Sequence, residues 1–229
     1  SKDELYTSDK IIELSKDCDG ILSAITDQIN KDLIEKLPPS VKIIANFAVG
    51  FGNIDVTAAE KKKIVVTNTP EVLDDSTADI SILLLLGASR KVLEARRAAE
   101  LQNWKWSADF MLGKQMSNKR LGILGMGRIG RAVAKRARGF NMEIHYHNRN
   151  QLPKDLEEEA IYHKTVKDLF NHSDFLSINC PATKETNKII NKETIAFLPD
   201  NVVIGNAARG DVVDDEAMIE ALKSEKVFA

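Results

Sequence analysis

The sequence has 229 residues, of which 43% are hydrophobic and 29% charged, and its formal net charge is -2. That mixture can build one large or two small packed domains, argues against disorder, and is too near neutrality to point to nucleic acid as a partner. Its two cysteines, Cys18 and Cys180, exclude a disulfide scaffold or a cysteine-rich zinc site and suit a reducing compartment, so a cytoplasmic location is expected; the longest apolar run, Ile80 to Ala88, falls far short of the ~18 residues of a membrane span.

In chain order, Gly20–Ala24, Val41–Phe47 and Lys63–Thr67 read as strands. Asn30–Leu37, stopped by Pro38 and Pro39, and Ile54–Lys62 read as the helices between them. Alternating strand and helix predicts a parallel sheet. A single long helix is predicted from Ser76 to Asn103, with Asp74, Asp75 or Ser76 as its cap. Its first half is nearly all apolar, so it should be buried between layers or subunits.

A second series follows. Arg120–Gly125, Met142–His147, Asp174–Asn179 and Asn201–Asn206 read as strands, and Ile129–Phe140 and Asp214–Ser224 as helices. The first third of the chain is acidic on balance and the rest slightly basic. The chain begins at Ser1 without methionine and ends on the apolar Val227-Phe228-Ala229, where an αβ unit enters its next strand. Truncation at both ends is therefore expected.

Gly125-Met126-Gly127-Arg128-Ile129-Gly130 is a G-x-G-x-x-G that follows a strand and opens a helix, the context of a dinucleotide site. Gly125 suits the tight turn, Gly127 the approach of a pyrophosphate, and Gly130 close helix–strand packing. The helix start offers free N–H groups to phosphate. The next strand ends in His147-Asn148-Arg149, with no acidic residue to accept from a ribose 2′-OH. Asn148 repels no phosphate and Arg149 can pair with one, which favours NADP over NAD. No metal site is expected.

Several segments together resemble the D-isomer-specific 2-hydroxyacid dehydrogenase family, nearest to its glyoxylate/hydroxypyruvate reductase branch. They are Asn46 to Asp55, Asn68 to Leu73 leading into Thr77-Ala78-Asp79, the glycine motif, Asn179-Cys180-Pro181, and Asn206 to Gly210. The resemblance implies a doubly wound α/β (Rossmann) nucleotide domain over residues 76–229 and a smaller flavodoxin-like α/β substrate domain over 1–75. Both would be incomplete: the smaller lacks its first strand and C-terminal return, the larger its last strands. It further implies a cleft between the domains and a homodimer built through the long helix.

The resemblance implies that Arg209 is the active-site arginine, holding a 2-oxo acid carboxylate. It puts Val49 and Gly50 in the loop whose N–H groups grip that carboxylate. Thr77, Arg128, Ile129, Cys180, Pro181 and Ala207 match cofactor positions, and Cys180 would be a neutral wall residue. The reaction implied is reduction of glyoxylate or hydroxypyruvate to the D-2-hydroxy acid. The family's Glu/His acid–base pair has no counterpart here, and His145, His147, His163 and His172 are expected to be structural or solvated. Low activity follows. Formate and phosphite dehydrogenases share the scaffold, but the Val49-Gly50 loop looks more like the glyoxylate branch. A non-catalytic NAD(P)-binding interaction protein of the co-repressor type is the alternative.

Overall fold

A computed structural model describes residues 6–102 and 104–229. The chain divides at Leu73 into two compact units. The first contains α1 (Ser8–Leu14), β1 (Gly20–Ala24), α2 (Lys31–Lys36), β2 (Ile43–Phe47), α3 (Val56–Lys61) and β3 (Val65–Thr67). Its strands form a parallel sheet in the order β1-β2-β3, with Gly20 opposite Ile43 and Ile43 opposite Val65. Asn30 caps α2 by accepting from the Leu33 amide, and Leu37 leaves the helix with ψ 142°, the extended state that a following proline demands. Asp55 caps α3 through the Ala58 amide. Ile29, Leu33, Ile34, Ile44, Ala59 and their neighbours close the core, while Leu22, Phe47 and Val65 are exposed.

The second unit contains α4 (Asp74–Ser89), α5 (Val92–Leu101), β4 (Arg120–Leu124), α6 (Arg128–Arg138), β5 (Glu143–His147), α7 (Lys154–Glu157), β6 (Ile161–Tyr162), α8 (Val166–Asn171), β7 (Phe175–Ile178), α9 (Lys192–Ile195), β8 (Val203–Asn206) and α10 (Asp215–Lys223). Its parallel sheet has the order β6-β5-β4-β7-β8. The winding reverses at β4, whose neighbours are β5 and β7, and ligands bind at the carboxyl ends of strands flanking such a reversal. Arg120 and Asp174 pair bidentately, at 2.7 and 3.0 Å, and join the starts of β4 and β7. The guanidinium holds the Asp174 carboxyl below the usual range. Beyond β8, the Phe228 amide donates to Val202 O and the Ile204 amide to Ala229 O, both at 2.8 Å. The expected strand start at the chain end is therefore bonded along β8, with Val227 buried.

The predicted single helix from Ser76 to Asn103 is corrected. It is two helices, α4 and α5, separated at Lys91, whose backbone is left-handed (φ 54°); Asn103 lies outside the described residues. The Lys114 amide donates to Ser89 O at 2.7 Å, and Gly113 packs so close that a Cβ there would stand 2.4 Å from the same oxygen. A distant segment thus takes the carbonyl at which α4 ends. Asp74 and Asp75 are in the first turn of α4 rather than before it, and Asp75 pairs with Arg136. Only one stripe of α4 is buried, through Ala78, Ser81, Leu85 and Ser89, while Ile80 and Leu83 are exposed. Among the described residues, no helix is long and apolar enough to cross a membrane.

Candidate active site

In the second unit the glycine motif links β4 to α6. Gly125 has φ +97°, and a Cβ there would meet Cys180 N at 2.6 Å. A Cβ on Gly130 would meet Gly125 O at 2.4 Å, so this glycine seats α6 against the strand end. A Cβ on Gly127 would meet nothing within 4 Å. The three glycines therefore do different things, as their spacing predicts: a turn, an open approach, and close packing. Gly127 caps α6 without a side-chain bond, so the first-turn N–H groups of Ile129 and Gly130 have neither a cap nor an intrahelical acceptor. They sit at the positive end of the helix dipole, where an anion is favoured.

Two asparagines shape the same place. Asn148 accepts from the Met126 amide at 2.7 Å through Oδ1 and donates to Met126 O at 3.4 Å through Nδ2. Its side chain is thus committed to the glycine loop, a role that sequence reading missed, while Arg149 beside it is exposed. Asn179 Oδ1, next to Gly125 just past the end of β7, is a buried oxygen with no partner among the described residues. Such an atom calls for an external donor. These features fit a dinucleotide: an open glycine, uncapped amides and an orphan acceptor at one strand end. Cys180 is buried, and burial pushes its thiol up, so it is not poised as a thiolate nucleophile. Pro181 and Ala207 follow the carboxyl ends of β7 and β8, and Thr77 lies in the first turn of α4.

Arg209 follows β8. Asn206 folds the connection, accepting from the Ala208 amide at 2.9 Å and donating to Arg209 O at 2.8 Å. Arg209 is exposed, and its guanidinium bonds to Ala208 O, with no carboxylate paired to it among the described residues.

In the first unit the loop after β2 carries Val49 and Gly50. The carbonyls of Ala48, Val49, Gly50 and Phe51 are all bonded inward, to Thr69 N, Asn68 Nδ2, Asn46 Nδ2 and Ile54 N. The amides of Val49, Gly50, Phe51, Gly52 and Asn53 have no acceptor among the described residues. Free backbone N–H groups in a loop are donors that an anion can use.

The four histidines lie elsewhere. His145 and His147 are on β5, and His163 follows β6. His172 precedes β7 at its amino end, opposite in sense to the carboxyl end of β8 that Arg209 follows. Between β5 and β8 stand β4 and β7, three strand spacings or ~14 Å. Among the described residues, no group of three or more His, Cys, Asp or Glu side chains is arranged to hold a metal ion.

Residues 82–229 match the family model for the D-isomer specific 2-hydroxyacid dehydrogenase NAD binding domain. The chain belongs to that family. It is 42% identical to a glyoxylate reductase of Korarchaeum cryptofilum over 97% of this chain and 68% of the relative. It is 41% identical to a glyoxylate reductase of Thermococcus litoralis over 93% of this chain and 66% of the relative. The solved glyoxylate reductase of Paecilomyes thermophila superimposes with a TM-score of 0.90 at 38% identity, covering 97% of this chain and 70% of that one. The chain thus spans about two thirds of the length of these relatives. The glycine motif and the uncapped start of α6 lie within the residues matched to the NAD binding domain, so the cofactor class is a nicotinamide dinucleotide.

Proposed function

We propose that this chain serves the reduction of a small 2-oxo acid, glyoxylate or hydroxypyruvate, to the D-2-hydroxy acid. The observation that carries this reading is the row of unpaired amides from Val49 to Asn53 in a chain that also holds a nicotinamide dinucleotide domain. An anion-receiving loop together with a hydride-donor site suits a 2-oxo acid, and the glyoxylate reductase relatives agree.

Residues 1–75 act as the substrate domain and 76–229 as the dinucleotide domain. When bound, the reduced nicotinamide supplies the hydride. Thr77, Gly125, Gly127, Arg128, Ile129, Gly130, Cys180, Pro181 and Ala207 line the cofactor. Asn148 acts by bracing Met126, and Arg149 takes a 2′-phosphate, which makes NADP the preferred cofactor and NAD the second. Val49 and Gly50 give their N–H groups to the substrate carboxylate. Arg209 pairs with that carboxylate and polarises the neighbouring carbonyl.

Reduction also needs a proton at the carbonyl oxygen. None of the four histidines is placed to give it to a group held by Arg209, so the 229 residues by themselves turn over very slowly, while the glycine loop still offers a cofactor site. The exposed apolar side chains Ile80, Leu83, Leu93 and Trp106 make α4, α5 and the segment after them the face of a homodimer. The free thiols Cys18 and Cys180 suit the cytoplasm.

Fluorescence titration with NADPH and NADH tests the reading. Saturable NADPH binding that weakens on Arg149→Asp is expected. Binding of neither nucleotide refutes it, and equal binding of both by the wild type refutes the NADP preference alone.

A further inference from the structure

The loop after β2 is held from behind, and the holding groups decide where its amides point. A trans peptide unit carries its C=O and the next N–H on opposite sides. Anchoring a carbonyl inward therefore turns the following N–H outward. The Thr69 amide holds Ala48 O at 3.0 Å and so directs the Val49 N–H. Asn68 Nδ2 holds Val49 O at 2.8 Å and directs the Gly50 N–H. Asn46 Nδ2 holds Gly50 O at 2.8 Å and directs the Phe51 N–H.

Asn46 is itself fixed. It is buried, its Oδ1 accepts from Ser23 Oγ at 3.0 Å, and it exchanges amide bonds with Asn53 at 3.2 and 3.3 Å. Asn53 Nδ2 is tied in turn to Ala24 O and Asp27 O, at 3.1 and 3.0 Å. Those carbonyls only accept, so the orientation of each side-chain amide is settled. The clamp joins the end of β1, the end of β2 and the start of the segment after β3. An aspartate at position 46 or 68 would have no proton to donate, and its charge would oppose an anion.

We propose that Asn68 and Asn46, the latter anchored by Asn53 and Ser23, are positioning residues that aim the Gly50 and Phe51 N–H groups at the substrate carboxylate. This rests on the reading that the loop receives that carboxylate, and it adds Phe51 N–H to the donors. The side chains touch no substrate. They keep the donors convergent before it arrives, so binding does not have to order the loop.

The test uses the full chain labelled with 15N and oxamate as the probe, a carboxylate beside a carbonyl. In the wild type, oxamate is expected to shift the amide resonances of Val49, Gly50 and Phe51. In Asn68→Ala, the Gly50 amide should become more mobile by 15N relaxation without any ligand. The oxamate Kd should rise about fivefold, the effect of one lost hydrogen bond. The NADPH Kd should stay within twofold, and the amide resonances of the core residues Ile29, Ile44 and Ala59 should keep their wild-type shifts, which a loss of structure in the first unit would not allow. An Asn68→Ala variant with unchanged Gly50 mobility and unchanged oxamate Kd overturns the clamp. A wild type in which oxamate shifts none of the three amides overturns the carboxylate reading instead. The two failures are separable because Gly50 mobility is measured with no ligand present.

Discussion

His145 and His163 share a hydrogen bond of 2.8 Å between Nδ1 and Nε2. The other nitrogen of His145 lies 2.6 Å from Glu143 Oε1. A carboxylate accepts, so His145 Nε2 carries the proton, its Nδ1 accepts, and His163 Nε2 donates. His172 stacks on both rings, with centroids 5.5 Å from His145 and 4.9 Å from His163, and gives its own Nδ1 proton to Asp168 O. The arrangement is complete with all three rings neutral, and it ties the short edge strand β6 to β5.

Acid should therefore destabilise the second unit. Burial pushes the His145 imidazole below its usual range, and Glu143 only partly offsets this, while His172 and Arg120 push the same way as burial. His163 is lowered by burial, then by His145 and His172, against Asp168. A histidine lowered on folding binds its proton more readily in the unfolded chain. Stability from this source is whole above the unfolded pKa of about 6.5 and is lost as pH falls from there through the lowered folded values. Melting temperature should be flat from pH 8 to 7 and fall toward pH 5, with a shallower fall in His163→Gln. An equal pH slope in both proteins would remove the stack as its cause.

Gly127 and Gly130 should respond oppositely to alanine. At Gly130 the new methyl meets Gly125 O at 2.4 Å, a backbone atom that cannot swing aside, so Gly130→Ala should lower the melting temperature and abolish cofactor binding. Gly127→Ala has open space and φ -78°, so the fold should melt as the wild type does. Nucleotide affinity should still drop tenfold or more, roughly the effect of filling the approach to a pyrophosphate. Calorimetry and fluorescence titration on both variants separate the two roles.

Arg209→Gln should weaken oxamate binding to the cofactor complex by roughly 10- to 100-fold, the range for a charged hydrogen-bond pair. Its melting temperature should not move, since the guanidinium is exposed and bonds to the carbonyl of Ala208. Arg209→Lys should recover part of the affinity but lose the planar fork. Calorimetric titration at fixed cofactor checks the series, and a variant that binds oxamate as the wild type does would take Arg209 out of the site.

Lys62 closes the end of α2. Its Nζ reaches Ile34 O and Glu35 O at 2.8 Å and Leu37 O at 2.5 Å, three carbonyls at the helix's last turn. Lys62→Met keeps the stem and removes the donors, and should cost about 1–3 kcal/mol in urea unfolding of the first unit. It should leave the nucleotide affinity unchanged.

Much of this was open to reading along the chain because the forces concerned are local. Gly20–Ala24 is a strand to the residue, and the helices read over Asn30–Leu37, Ile54–Lys62 and Asp214–Ser224 form as Lys31–Lys36, Val56–Lys61 and Asp215–Lys223. The glycine motif was legible because each glycine answers a backbone demand set within a few residues. Asn46, Asn53 and Asn68 stood inside the segments that resemble the family, yet nothing in their spacing said which carbonyls they would hold. Asn148 reads as a cofactor-site residue that repels no phosphate, and nothing in the spacing announced its two hydrogen bonds to the Met126 backbone.

Strand–helix alternation, the glycine turn and the uncapped start of α6 follow from short stretches of chain, since they depend on side-chain period, φ limits and unpaired N–H groups over a handful of residues. Tertiary structure alone decided where α4 stops, because Ser89 O is claimed by an amide 25 residues later at Lys114. It alone brought His145, His163 and His172 into one stack from three separate segments. It alone fixed the carbonyls of Ala48, Val49, Gly50 and Phe51 and so directed the four loop amides that follow them. Such features depend on which distant groups meet, and that is settled by packing of the whole unit and not by any window of the chain.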